Sequence, residues 1–124
     1  MRSERGQAMT EFALVLPVLC LLLFAVIQFG IAFNNYLTLT DATRAGARKA
    51  AVARRLADPV GSAIDSVRAS AQDLKQSDLS VSVTSSWQLG SDVTVTASYP
   101  YSISLLGLVV KSGRLSSSTT ERLE

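Results

Sequence analysis

Two residues near the N-terminus have types and spacing that suggest a specific chemistry. Glu11 stands at the threshold of a long apolar run, and Gly6 stands five positions earlier, preceded by Arg5. An unpaired carboxylate is costly in hydrocarbon, so Glu11 needs either the membrane interface or a cationic partner. If the chain were cut after Gly6, Glu11 would be the fifth residue of the product, followed directly by Phe12 and the run. The plainer reading of Glu11 is a charge that suits a helix N-terminus.

Other chemistry is sparse. The chain has no His, and its single cysteine, Cys20, lies inside the apolar run. Zinc sites, Cys/His nucleophile pairs, Ser-His-Asp triads and disulfide frameworks therefore fall away. Asp65, Asp73, Asp78 and Asp92 are scattered without metal-ligand spacing, and no Gly-rich phosphate loop follows a strand. The sequence thus points to no enzyme, no metal and no cofactor. A formal charge of +2 over 124 residues is too small to argue for nucleic acid. Trp87 with Tyr99 and Tyr101 could form an aromatic binding face, although packing is the ordinary use of such residues.

The element that must position Glu11 is the apolar run itself. Between Phe12 and Phe33, 19 of 22 residues are hydrophobic, and no charge occurs from Phe12 through Thr40. As a helix, this segment is about 33 Å long, which matches a hydrocarbon core of about 30 Å. A membrane-spanning helix is the leading expectation. A buried core helix would need more protein around it than this chain can supply. A cleaved secretory signal would have a shorter core ending near a small-x-small triplet, whereas Ala45-Gly46-Ala47 lies well beyond the end of this one. Charge does not orient the span, because Arg2 and Arg5 precede it while Arg44, Arg48 and Lys49 follow it. Pro17 removes an amide hydrogen inside the helix and leaves the Ala13 carbonyl without its usual donor, so a kink or loosened turn is expected there, with or without a role in assembly.

A short basic leader, Gly, then Glu at the fifth following position ahead of an apolar helix resembles the type IV prepilin signal. The stretch Arg5-Gly6-Gln7-Ala8-Met9-Thr10-Glu11-Phe12-Ala13-Leu14-Val15-Leu16-Pro17, with Gln28-Phe29-Gly30 and Leu39-Thr40-Asp41-Ala42-Thr43-Arg44-Ala45-Gly46-Ala47-Arg48, is similar to the TadE-like family. Members are pseudopilins or minor pilins of the tight-adherence (Tad, Flp) type IV pilus system. Gln28 departs from that pattern, since relatives often carry an acidic residue there.

The resemblance implies a cut between Gly6 and Gln7 by a prepilin peptidase on the cytoplasmic side. It also implies a single-pass protein of the bacterial cytoplasmic membrane with its body exported, and a place at the cell surface as part of a pilus. The implied partners are the peptidase, other pilin or pseudopilin subunits, the assembly platform and membrane lipid. In the family's packing, the ammonium of Gln7 on one subunit would pair with Glu11 of a neighbour, with Phe12 alongside, and fix the axial register. The alternative is an uncleaved, signal-anchored protein presenting a small exported binding domain.

Beyond the span, no strong breaker occurs up to Ala57, so residues 34–57 are expected to continue the helix out of the membrane. Ala42, Gly46, Ala50, Ala53 and Ala57 form a narrow stripe that permits close approach to the chain's own sheet or to a second helix. Arg44, Arg48 and Arg55 lie opposite, as a solvated face or one that meets anionic neighbours. Asp58-Pro59 should cap a second helix over 59–76, with Val60, Ile64, Val67, Ala71 and Leu74 turned inward.

From Ser77 to Thr120, Ser and Thr fill 18 of 44 positions and the apolar period drops to two. Strands are expected over about 79–86, 93–102 and 114–122, with a hairpin across Leu89-Gly90-Ser91-Asp92. Pro100 marks either the end of the second strand or an edge. The run from Ile103 to Val110 is either a covering loop or an exposed docking patch. The fold class is α+β and pilin-like: a leader over 1–6, a membrane and assembly helix over 7–33, its exported continuation, and a small α+β domain over 58–124.

Overall fold

The computed structural model describes residues 2–105 and 107–124, without the side chains of Arg2 and Ser3. The parts of the leader at Met1 and of the apolar run at Leu106 lie outside the described residues. Helix α1 covers Arg2–Ala51, α2 covers Pro59–Ser70, and three strands follow: β1 (Ser80–Ser85), β2 (Asp92–Leu105) and β3 (Leu108–Arg122). The strands form an antiparallel meander in the order β1-β2-β3. This is the expected α+β, pilin-like plan.

A helix of 50 residues is about 75 Å long. Its two ends meet different surroundings. Residues 4–20 are exposed without exception, whereas Leu39, Ala42, Thr43, Ala47 and Ala50 are buried against the domain. The helix runs continuously through Pro17. Apolar side chains on every side of the first half could not be covered by the small domain, and none of the most apolar window is buried.

The small stripe is what brings the domain onto the second half. Gly46 faces both α2 and β2: a Cβ placed there would collide with Val67 Cγ2 and lie 3.3 Å from Val95 Cγ1. The stripe therefore meets the second helix and the sheet together. Val67 of α2, Val93, Val95 and Ala97 of β2, and Leu79 and Leu123 complete the core. Ala57 leaves the stripe and is exposed.

α1 stops at Ala51, short of the expected end at 57. The reason is tertiary. Val52 N donates to Lys49 O (3.3 Å) and Ala53 N to Ala50 O (3.1 Å), which tightens the last turn. The amide of Glu124 donates to the Ala51 carbonyl (3.0 Å), while Leu123 enters the core, so the end of the chain takes the place of a further helical turn. Asp58 then caps α2 as expected, its Oδ1 accepting from Gly61 N at 3.0 Å, with Pro59 in the first turn.

α2 also ends early, at Ser70 where Gln76 was expected. Gln76 Nε2 donates to the Ala71 carbonyl (2.9 Å) and Arg68 donates to Gln76 O (3.0 Å), so Gln76 folds back as a cap. Ala71 and Leu74 stay in the core through turns.

The sheet is longer than its sequence pattern suggests. β2 continues through Pro100 to Leu105, and β3 begins at Leu108. Pro100 lies two residues past Ser98, the last partner of β1, so at that point β2 has only β3 beside it and tolerates the missing amide hydrogen. The run from Ile103 to Val110 is thus the end of a long hairpin, with Ile103 paired to Lys111 and Leu105 to Leu108.

Hydroxyls fasten β3 to α1. Thr43 Oγ1 donates to Thr40 O (2.9 Å), so its 2.9 Å contact with Thr119 Oγ1 uses the proton of Thr119. Thr40 and Ser117 meet at 3.1 Å. On the outer face, Thr94 pairs with Thr120 (3.0 Å) and Thr96 with Ser118 (2.8 Å).

Two substitutions test this packing. Gly46→Ala should lower domain stability by about 1–3 kcal/mol through overpacking, against the roughly 1 kcal/mol that Ala normally adds in a helix. A thermal melt showing no loss would mean that Val67 moves freely. Thr43→Val should cost about 1–3 kcal/mol by stranding the Thr119 hydroxyl. In a double-mutant cycle, adding Thr119→Val should restore much of that loss.

Candidate assembly site on the N-terminal helix

Gly6, Gln7, Glu11, Phe12 and Pro17 all lie on the free half of α1. Gln7 Nε2 donates to Glu11 Oε1 at 3.3 Å, one helical turn away, and Thr10 Oγ1 donates to Gly6 O at 2.8 Å. α1 begins at Arg2, so in the intact chain Glu11 is an interior helical residue. The helix N-terminus reading of Glu11 therefore does not hold before a cut. Removal of residues 1–6 would bring the new terminus to Gln7, one turn from the carboxylate.

Gly6 has no local structural duty. A Cβ there would meet nothing within 4 Å, and Gly6 is not among the positive-φ glycines, which are Gly90 and Gly107. In a helix interior, Gly is worse than Ala by roughly 1 kcal/mol. The fold itself would be served better by almost any other residue. Gly30 is equally open, and it lies in a shallow apolar groove with Leu22, Val26 and Phe33.

Phe12 is 62 % exposed, and apolar side chains continue all round the helix to Phe33. Such a rod fits a membrane-anchored protein. The structure brings Gln7 and Glu11 together, keeps Phe12 in the open and leaves Pro17 within an unbroken helix.

A family model described as TadE-like protein matches residues 6–48. Over that stretch the N-terminal helix is similar to the TadE-like family. The matched TadE-like segment starts at Gly6 and ends three residues before α1 does, so it joins the Gly/Glu pair, the apolar run and the stripe that docks the domain. α2 and the sheet lie outside it. No curated protein and no solved structure matches the chain significantly.

Two of the three candidate aromatic residues serve packing, and Tyr101 instead lies beside Phe29 and Phe33 of α1. Trp87 and Tyr99 rest against the core, and the Tyr99 hydroxyl accepts from Lys75 N at 3.1 Å. Trp87 has φ 57°, a strained value for a bulky residue, held because Ser85 Oγ accepts its amide at 3.0 Å and donates to Asp92 O at 2.9 Å. On the basic face, Arg44, Arg48 and Arg55 are exposed, and Arg44 makes a 4.0 Å contact with Asp41. Among the described residues, no group of three or more Cys, Asp or Glu could hold a metal ion.

The sequence did not single out the hydroxyl contacts of Thr40 and Thr43, although the run Ser116-Ser117-Ser118-Thr119-Thr120 hinted at them. It also did not reveal a groove of about 500 Å³ between α1 and the end of the β2–β3 hairpin.

Proposed function

We propose that this chain is a structural assembly protein, a minor pilin or pseudopilin of a tight-adherence type IV pilus system, and not an enzyme. The observation that carries the reading is the TadE-like match falling on one continuous helix whose apolar half is uncovered by its own domain. In this reading a prepilin peptidase cuts between Gly6 and Gln7. The absence of any local packing or turn requirement for glycine at position 6 supports its selection by an outside partner.

The new Gln7 ammonium and Glu11 then form the polar end of an otherwise apolar rod. Within a bundle of such helices, the ammonium of one subunit pairs with Glu11 of the next, each offsetting the desolvation of the other and setting the axial register. Phe12 and the apolar side chains beyond it exchange lipid for neighbouring helices. Pro17 eases that transfer by loosening one turn. Residues 1–6 stay cytoplasmic, and the domain is exported.

Intact-mass measurement of membrane-extracted protein should find a chain that begins at Gln7. Gly6→Leu should retain the leader while leaving the thermal melt of the domain within about 0.5 kcal/mol, as expected for an open surface position. A wild-type chain retaining residues 1–6 beside an active peptidase would instead indicate an uncleaved, signal-anchored protein. Glu11→Ala should insert and be cut normally but fail to enter pili, and normal piliation would sink the pairing step.

A further inference from the structure

The hairpin formed by β2 and β3 leans back along α1 toward the apolar half. The hydroxyl contacts Thr43–Thr119 and Thr40–Ser117 fix its base. From Ser117 to Leu108 the strand can reach about 30 Å, since each residue advances about 3.3 Å. Along α1, the distance from Thr40 back to Phe33, the outer end of the apolar run, is only about 10 Å. The hairpin therefore passes the point where the helix becomes apolar. Tyr101 and Ile103 of β2 and Lys111 of β3 already face Phe29, Phe33 and Tyr36 across the groove. Beyond them lie Leu108, Val109 and Val110, which are 73 %, 63 % and 64 % exposed.

We propose that this hairpin end is a second membrane contact, seated in the lipid interface of the leaflet from which α1 emerges. The inference rests on α1 spanning the bilayer. Given that span, the geometry brings the three exposed apolar residues to the bilayer without help from another protein. Their depth is limited. At its end the hairpin has only its own two strands, so the outer backbone N–H and C=O groups lack partners and cannot enter the hydrocarbon core cheaply. At full extension parallel to α1 the tip would lie about 20 Å past Phe33, so the hairpin must run obliquely to the helix, and a position about 5–10 Å into the boundary between headgroups and acyl chains satisfies both demands. Lys111 follows directly, with a stem long enough to keep its ammonium among lipid phosphates while its methylenes stay with Ile103 and Phe33. Tyr36 and Tyr101 also suit that level, with apolar rings and hydroxyls that can stay wet.

The test uses the full-length chain reconstituted at one copy per nanodisc of phosphatidylcholine and phosphatidylglycerol. A polarity-sensitive fluorophore is attached through Val109→Cys in a Cys20→Ser background. The expected result is blue-shifted emission, strong loss of fluorescence to a nitroxide near the top of the acyl chains, and little loss to aqueous iodide. The same fluorophore attached through Ser91→Cys, at the other end of β2, should respond the opposite way. Replacing Leu108→Asp and Val110→Asp together should return the Val109→Cys probe to water.

A fluorophore on the native Cys20 reports the span separately. Cys20 in lipid with the hairpin probe in water overturns the hairpin contact and keeps the spanning helix. Both probes in water overturn the spanning helix as well. A hairpin probe shielded from iodide yet untouched by the lipid nitroxide is covered by protein, which also overturns the proposal.

Discussion

The close approach of α1 to Val67 and Val95 at Gly46 is the contact on which the remaining architecture depends, because it lets the domain sit on one helix face with only small residues between them. Ala42, Ala47 and Ala50 extend that face, and each is fully buried. A larger side chain there would push out α2 and the sheet together. The domain thus draws a third wall of its core from the same helix whose other half is apolar and uncovered. The two halves are not separate modules: the helix that fits a membrane is also needed to complete the fold outside it.

Much of this was readable from residue spacing. The 22-residue run and the Asp58-Pro59 cap are local signals that fell where their patterns indicated, and the small stripe did so from Ala42 to Ala53. Element ends were less legible because distant residues decide them. Ala51 is followed by no strong breaker; its carbonyl is claimed by the Glu124 amide, 73 positions away. Gln76 looked like the last residue of α2, yet its side chain turns back to cap that helix.

Pro100 shows the same limit in the sheet. A proline signals an edge, but whether a strand stops there or loses one neighbour depends on where β1 begins, and β1 begins at Ser80, opposite Ser98, after the turns that follow α2. The continuation to Leu105 follows from β3 alone. For the candidate site, residue types showed what could pair or be cut. They did not show that Gly6 lacks a packing role, since that requires knowing that nothing lies near it. The groove beside Phe33 was hidden for a related reason: it arises from the lean of a hairpin against a helix, which no single segment encodes.

The unbroken run of α1 from Arg2 to Ala51 has a mechanical consequence. There is no linker between the apolar half and the domain, so a load applied to the domain travels down a stiff backbone of hydrogen bonds with no slack to take up. Tension along the axis is resisted by the helix ladder and by the packing at Gly46 acting in series. A sideways load makes the rod a lever, with the domain at the long end. The chain would therefore transmit pull and torque as one body, and the joint most open to bending is the turn whose Ala13 carbonyl lost its donor to Pro17.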